Sequence, residues 1–345
     1  MNKIGYSVYL SNYLDVKEEL KALFQKGNYI FISLHIQEEN TINYLDKVKN
    51  MIHFLKNIGY LIIADVSKIT LNYLNYDNFI ELKKDLKIDL LRLDYGFEIS
   101  EIIELAKLTD ICLNASTVDN NLLTSLKRKK LNLLFIHNFY PHPETGLDKE
   151  QYQRINNMIS GYGYKIITFI SGDNKLRGPI FEGLVTLEHH RYKSPYYQFL
   201  DLIINYRQEI IIVGDSILTS RSVKQINNYL ESGVVEIKVH LDQEYKYLYN
   251  KVFTIRNDSP KKLKRLVESR EYSKKGNIVK AKNCTSRYRG SITIDNLLYK
   301  RYSGEIMVCL EDFTCDDRVN VIGRVREMEM LDLIINGIKI KFVNE

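Results

Sequence analysis

Along the first two-thirds of the chain one pattern recurs. A short run of β-branched or aromatic residues is followed by a stretch with apolar positions at helical spacing. The runs fall at residues 4–10, 29–35, 61–67, 90–96, 110–116, 133–141, 165–172 and 209–216. The helical stretches fall at 16–26, 41–58, 73–86, 100–108, 120–130, 148–161, 196–206 and 219–232. Asp15, Ser100 and Asp148 suit N-cap or first-turn positions, and Gly27, Gly59 and Gly233 suit helix ends. Eight strands alternating with eight helices predict an α/β chain of the (β/α)8 TIM-barrel type. A doubly wound open sheet is the competitor. It usually has fewer strands, and to bind a dinucleotide it needs a glycine-rich turn after the first, which residues 10–12 (LSN) do not supply.

After Gly233 the texture changes. Short alternating runs at 234–240, 245–254, 290–295, 302–310, 318–325 and 334–343 are separated by turn signals, with one helix expected over 261–270. The expected organisation is a barrel over 1–233 and a smaller β-rich barrel or sandwich over 234–345.

A barrel of this kind carries its chemistry where strands end and βα loops begin. Those ends read Ser7 and Tyr9; Ser33 and His35; Asp65 and Ser67; Arg92, Asp94 and Tyr95; Asn114 and Ser116; His137, Asn138 and Tyr140; Ser171; Asp215 and Ser216. Alternation puts Arg92 and Asp94 on one face, which an apolar wall would not tolerate without a reason. Each group alone is more often a structural hydrogen-bonder, but a full ring of them is hard to explain by stability. The stretch 133–146, LLFIHNFYPHPETG, is the sharpest case: an apolar run gives way to imidazoles, an amide and Glu144, with prolines closing the strand. A second long loop, 171–196, is rich in charged, glycine and aromatic residues. It offers Lys175 and Arg177 to an anion and Glu182 as an acid.

Composition narrows the class. A hydrophobic content of 45% fits a globular protein, and no run approaches the ~18–20 apolar residues that span a bilayer. Four cysteines without CxxC or metal-like spacing suit a reduced, cytoplasmic protein. The net charge of +6 is spread out, and its densest cluster, KRKK at 127–130, reads as a solvated helix end. Neither nucleic acid nor membrane is expected as a partner; an anionic small substrate is, and a homo-oligomer is compatible with the sequence.

ADVS (64–67), LRLDYGF (91–97), LNAST (113–117), HNFYPHPETGL (137–147), RGPIFEGLVTLEHHR (177–191), VGDS (213–216), ITIDN (292–296) and RYSGE (301–305) occur in this order. Together they resemble the bacterial 6-phospho-N-acetylmuramidases over almost the whole chain. The resemblance implies a TIM barrel followed by a cyclophilin-like β-domain. It also implies cytoplasmic hydrolysis of a 6-phosphorylated MurNAc-GlcNAc disaccharide during cell-wall recycling. No metal-ligand cluster is visible in the sequence, and hydrolysis needs no redox cofactor, so neither a metal nor a cofactor is expected.

Glycoside hydrolysis normally uses two carboxyl groups. The candidates are Asp94, Glu182, Asp65 and Glu144, with Asp215 a further carboxylate. Arg92 beside Asp94 favours the charged form and suits a nucleophile or base. Glu182 lies in a loop placed to cover the substrate, where burial would suit a proton donor. Catalysis assisted by the substrate's acetamido group is the alternative, with Asp94 or Asp65 orienting the amide. Glu144 ranks behind, because 139–146 departs from the family pattern at His142 and Glu144. Ser33, His35, Arg92, Asn114, His137, Asn138, Tyr140 and Asp215 are expected to hold the sugar, and Lys175, Arg177, Arg191 and Arg287 its phosphate and lactyl carboxylate. The rival readings are a sugar-phosphate aldolase or isomerase and a sugar-phosphate binding protein without activity. The aldolase would often need a Schiff-base lysine on a strand or a metal-binding His/Asp set, and Lys165 sits at the wrong end of its strand for the first.

Overall fold

The computed structural model describes residues 3–34, 36, 42–131, 133–270 and 276–344. The chain divides into two compact units, 1–223 and 224–345.

The first unit is a closed barrel of eight parallel strands in sequence order. Its elements are β1 (Lys3–Val8), α1 (Tyr13–Leu23), β2 (Tyr29–Ser33), α2 (Tyr44–Ile58), β3 (Leu61–Val66), α3 (Lys68–Leu74), α4 (Phe79–Asp85), β4 (Leu90–Leu93), α5 (Ile99–Leu108), β5 (Ile111–Asn114), α6 (Asn120–Arg128), β6 (Leu134–Ile136), α7 (Lys149–Gly161), β7 (Lys165–Ile170), α8 (Pro195–Ile204), β8 (Ile210–Val213) and α9 (Ser220–Ser232), which runs into the second unit. Pairing of β1 with β8 closes the ring. Parallel strands covered on both faces read as nearly unbroken apolar runs, as in IIIV of β8. Asp119, Asp148 and Ser194 cap α6, α7 and α8 by accepting from backbone N–H groups one turn on. Gly59 ends α2 at φ 115°, where a Cβ would lie 2.8 Å from the Phe24 ring.

Three expectations need correction. The helix expected over 73–86 is two short helices, because Asn75 turns left-handed at φ 57° and Asn78 caps a fresh start. The strand expected over 133–141 ends at Ile136; beyond it Tyr140 leaves the barrel ladder and donates to the carbonyl of Val185. The helix expected over 261–270 does not form: Leu263–Arg265 is a strand, followed by a single 3-10 turn. Pairing with a neighbouring strand supplies hydrogen bonds that the local pattern did not reveal.

Inside the barrel, Phe31, Ile63, Cys112, Ile136, Ile167, Phe169, Ile210 and Ile212 form the apolar plug. Side chains alternate along a strand, so the next inward positions toward the C-terminal ends are two residues on. They are Ser33 after Phe31, Asp65 after Ile63, Asn114 after Cys112 and Asn138 after Ile136, with Arg92 opposite Asp65 in register. A polar layer therefore sits directly on the plug, at the barrel end where the βα loops begin.

The second unit is a seven-stranded sheet made of β9 (Val234–Leu241), β10 (Val252–Thr254), β11 (Leu263–Arg265), β12 (Ser291–Asp295), β13 (Ile306–Cys309), β14 (Val319–Val325) and β15 (Lys339–Val343), in the order β10-β15-β9-β14-β12-β13-β11. Only β15 and β9 pair in parallel. The two edge strands curl toward each other, for Ile255 just past β10 bridges Leu266 just past β11. Val235, Ile237, Ile292, Val308, Ile322 and Phe342 are fully buried within it. No helix among the described residues is long and apolar enough to cross a membrane.

Candidate active site

The polar layer opens into a cleft of about 280 Å³, bordered by Ser33, Asp65, Arg92, Asp94, Asn138 and Arg177 over a floor of Phe31, Phe139 and Phe169. The three rings meet edge to face, with centroids 5.1–6.2 Å apart. One guanidinium organises the rest. Arg92 Nη1 donates to Asp65 Oδ1 and to Asp94 Oδ1, each at 2.6 Å, and Nη2 donates to Asn138 Oδ1. Both carboxylate oxygens lie on one nitrogen, so twice 2.6 Å is the ceiling on their separation. Burial alone would lower the Arg92 pKa; Asp65 and Asp94 outweigh it and raise it, so the cation is permanent.

The two carboxylates differ in access. Asp65 is 9% exposed, with Ser33 Oγ at 3.4 Å from its second oxygen, whereas Asp94, at the strand's end, is 23% exposed. Asn138 Nδ2 has no partner among the described residues. Arg177 sits over the Tyr9 ring, its guanidinium carbon 3.8 Å from the centroid, and forms no ion pair among the described residues. Two carboxylates in contact with one cation, with an amide donor and a second cation that are both unpaired among the described residues, can bind an anionic, hydroxyl-rich ligand and act on it by nucleophilic or acid–base chemistry.

The remaining expected site residues are turned to other partners or lie away from the cleft. His137 borders the cleft, but its ring packs on Tyr152 of α7 at 4.9 Å, and burial lowers its pKa to about 4, so it is neutral. Asn114 accepts from the Ser116 amide and shapes the turn after β5. Glu182 is half-buried, hydrogen-bonded to the Tyr192 hydroxyl, and does not line the cleft. Glu144 is exposed, with left-handed backbone at φ 70°. Lys175 is exposed and paired with Asp15 at 2.9 Å. Arg287 belongs to the second unit, where it donates to the Thr314 carbonyl. His35 lies outside the described residues.

Two of the expected ligand contacts hold the loops in place. Asp215 is buried and accepts from the amides of Gly172, Arg177 and Leu184 at 2.9–3.0 Å; burial raises its pKa against the pull of those donors. It thereby fixes the loop that carries Arg177. Arg191 is buried on Glu188, at 2.6 and 2.8 Å, and donates to the carbonyls of Gly183 and Tyr140. Glu188 in turn accepts from the amides of Glu144 and Gly146. This pair staples the loop after β6 to the loop after β7. The staple and the aromatic floor escaped the sequence reading: an ExxR spacing and isolated phenylalanines carry no distinctive signal.

Among the described residues, His189, His190 and Asp201 bring three metal-ligand types within 4.8 Å. Both Nε2 atoms lie on one oxygen of Asp201, at 2.9 and 2.8 Å, and both Nδ1 atoms are buried without a partner. This fits two imidazoles donating Nε2–H to the carboxylate. A metal on the Nε2 atoms would leave two buried Nδ1–H donors unsatisfied. Lys165 opens β7 at the barrel end away from the cleft, paired with Glu209.

Comparison with known proteins covers nearly all of the chain. The family described as 6-phospho-N-acetylmuramidase matches through its N-terminal part at residues 4–228 and through its C-terminal part at 234–343. A conserved Enterococcus faecalis protein of unknown function is 29% identical, with a TM-score of 0.81 over 99% of this chain and 96% of that one. An uncharacterised B. cereus protein shares the fold at 22% identity, with a TM-score of 0.80 over 99% of both chains. No protein with a curated description matches.

Proposed function

The chain belongs to the 6-phospho-N-acetylmuramidase family, and on that premise we propose that it hydrolyses 6-phospho-N-acetylmuramyl-N-acetylglucosamine to N-acetylmuramic acid 6-phosphate and N-acetylglucosamine. The observation that carries this reading is the cleft itself: two carboxylates on one guanidinium, with a second cation, Arg177, that has no acidic partner among the described residues. The unphosphorylated disaccharide offers that cation only its lactyl carboxylate; the phosphorylated one adds a second anionic group for it to hold.

Asp94, the more open carboxylate, acts at the anomeric carbon, either by attacking it or by orienting the 2-acetamido group to do so. Asp65, wedged between Ser33 and Arg92, holds the guanidinium in place. The ceiling on the separation of the two oxygens is well short of the ~6.5–9.5 Å that leaves room for a water between the carboxyl groups of an inverting pair. It is near the ~5–5.5 Å of a retaining pair; because both carboxylates accept from Arg92, we assign protonation of the leaving oxygen to another group. Glu182, on the loop that Asp215 pins beside Arg177, lies outside the cleft on the Tyr192 hydroxyl and is our candidate donor on the condition that it leaves that bond and reaches the cleft when substrate binds. Asn138 Nδ2 contacts the sugar, and Phe139 supplies an apolar surface to it. The reaction would serve cell-wall recycling in the cytoplasm.

The test is incubation with the phosphorylated disaccharide and with its unphosphorylated counterpart. Release of N-acetylglucosamine from the first alone is expected. Equal cleavage of both would remove the phosphate from the reading, and cleavage of neither would remove the hydrolase.

A further inference from the structure

A file of hydrogen bonds leads from the outer face of the barrel wall to the guanidinium in the cleft, and its direction is fixed at every step. On α7, the Asn156 amide hydrogen-bonds the Tyr152 hydroxyl, and its Oδ1 lies 2.7 Å from His137 Nε2. A carbonyl oxygen only accepts, so His137 carries its proton on Nε2. Nδ1 is then a lone pair, and Ser116 Oγ, 3.2 Å away, donates to it. The Ser116 oxygen has lone pairs left, and the Asn138 backbone amide donates to it at 3.1 Å. Asn138 is gripped again at its carbonyl by Thr186 Oγ1 at 2.9 Å. With its backbone held at both ends, its Oδ1 accepts from Arg92 Nη2.

We propose that Asn156, which does not line the cleft, is a positioning residue for the reaction: by selecting the Nε2–H tautomer of His137 it orders Ser116 and Asn138, and so sets the orientation of the Arg92 guanidinium between Asp65 and Asp94. The opposite tautomer would place a proton on Nδ1. Ser116 would then accept from both His137 and Asn138, and its hydroxyl proton would have to find another partner. Nε2, now bare, would face the carbonyl oxygen of Asn156, lone pair against lone pair. The same logic applies to ligand histidines in metal sites, where the bond made by the far nitrogen decides what the near one does.

This inference rests on the hydrolase reading for its consequence, but the tautomer is measurable without turnover. In ¹⁵N-labelled protein, two-bond ¹H–¹⁵N correlation assigns the protonated nitrogen of each of the 7 histidines, and His137→Gln identifies the relevant signals. Nε2–H is expected for His137. Asn156→Leu removes the acceptor, mixes the tautomers and lowers kcat by about tenfold or more with KM nearly unchanged, within the ~10–100-fold range that outer-shell partners produce. Asn156→Asp keeps an acceptor at that point and should recover most of the loss, which a merely structural role for the amide would not explain. A thermal melt establishes that both variants fold; if Asn156→Leu does not, the wild-type tautomer and Asn156→Asp carry the test. A native Nδ1–H tautomer overturns the inference whatever the protein hydrolyses, as does wild-type kcat in folded Asn156→Leu or an Asn156→Asp as slow as Asn156→Leu. A native Nε2–H tautomer in a protein that cleaves neither disaccharide would instead defeat the hydrolase reading and leave the order of the hydrogen bonds standing.

Discussion

Arg92→Met tests the centre of the site directly. Asp65 Oδ1 and Asp94 Oδ1 each sit 2.6 Å from the same guanidinium nitrogen, so removing the charge leaves two carboxylates facing each other at the floor of a cleft. Two unit charges about 5 Å apart at an effective dielectric of about 20 repel by roughly 3 kcal/mol. At 1.36 kcal/mol per unit, that moves one titration of the pair upward by about two pH units. The pair then holds a proton near neutrality, as close carboxylate dyads do. The assay is the pH dependence of kcat/KM on the phosphorylated disaccharide. Its acid limb should move up by about two units in Arg92→Met, and activity at pH 7 should fall beyond what lost positioning alone produces. Arg92→Lys separates charge from geometry: the ammonium keeps the limb within about half a unit, while the bond to Asn138 is lost. Breaking a buried ion pair costs about 3–5 kcal/mol, so folding of both variants is confirmed by thermal melts followed by circular dichroism. A folded Arg92→Met whose acid limb has not moved would refute the reasoning, because it would mean that the two carboxylates do not sense each other.

Other outcomes follow from the same geometry. Asp94→Asn and Glu182→Gln should each lower kcat by orders of magnitude at nearly unchanged KM for the phosphorylated disaccharide, and near wild-type turnover in either would remove that residue from the pair. Arg177→Ala should raise KM for the phosphorylated substrate by about 10–100-fold, the worth of one charge-assisted contact of ~1.5–3 kcal/mol, and leave binding of unphosphorylated N-acetylmuramic acid within about twofold; calorimetry reads both. Glu188 has its pKa lowered to about 2, chiefly by Arg191 and then by the two amides it accepts from. Its contribution to stability is therefore present above the unfolded value near 4.5 and is lost as pH falls toward 2. With allowance for solvent at this partly exposed group, Glu188→Gln should cost about 1–2 kcal/mol at pH 7. In urea unfolding, that difference from wild type should shrink markedly at pH 3.

How much of this was legible before the structure divides along a physical line. Strand positions were readable because a parallel strand buried on both faces reads as a nearly unbroken apolar run, as in IIIV of β8 and LIIA at the start of β3. The polar layer was readable because alternation is a rule of the strand itself: once Phe31, Ile63, Cys112 and Ile136 face in, so do Ser33, Asp65, Asn114 and Asn138. The same rule decides His137, which has opposite parity to Ile136 and Asn138 and so turns its ring to α7; its position one residue past the end of β6 hid this. The strand at Leu263–Arg265 was misread as helix because a three-residue strand, half-buried on both flanks of Lys264, is defined by its partner and not by its own pattern.

What the sequence could not show is which charges the loops consume internally. Lys175, Arg177, Arg191 and Asp215 all read as ligand contacts, yet Arg191 is held by Glu188, Lys175 by Asp15, and Asp215 by three amides. The last case bears on where an anion is met. Barrels of this architecture frequently bind phosphate on backbone N–H groups of the loops after strands 7 and 8. Here the amides of Gly172, Arg177 and Leu184 on the loop after β7 already point at a carboxylate of the chain itself, just past β8. An incoming phosphate would compete for them with Asp215 at close quarters, a like-charge contact that costs several kcal/mol. The groups that remain for an anion at this rim are side chains, and of the four cations expected to bind one, only Arg177 lines the cleft. A chain that uses an internal carboxylate to shape the loop thus passes the task of holding the phosphate to the side chain that the same loop projects, which is why Asp215 and Arg177 have to be read together.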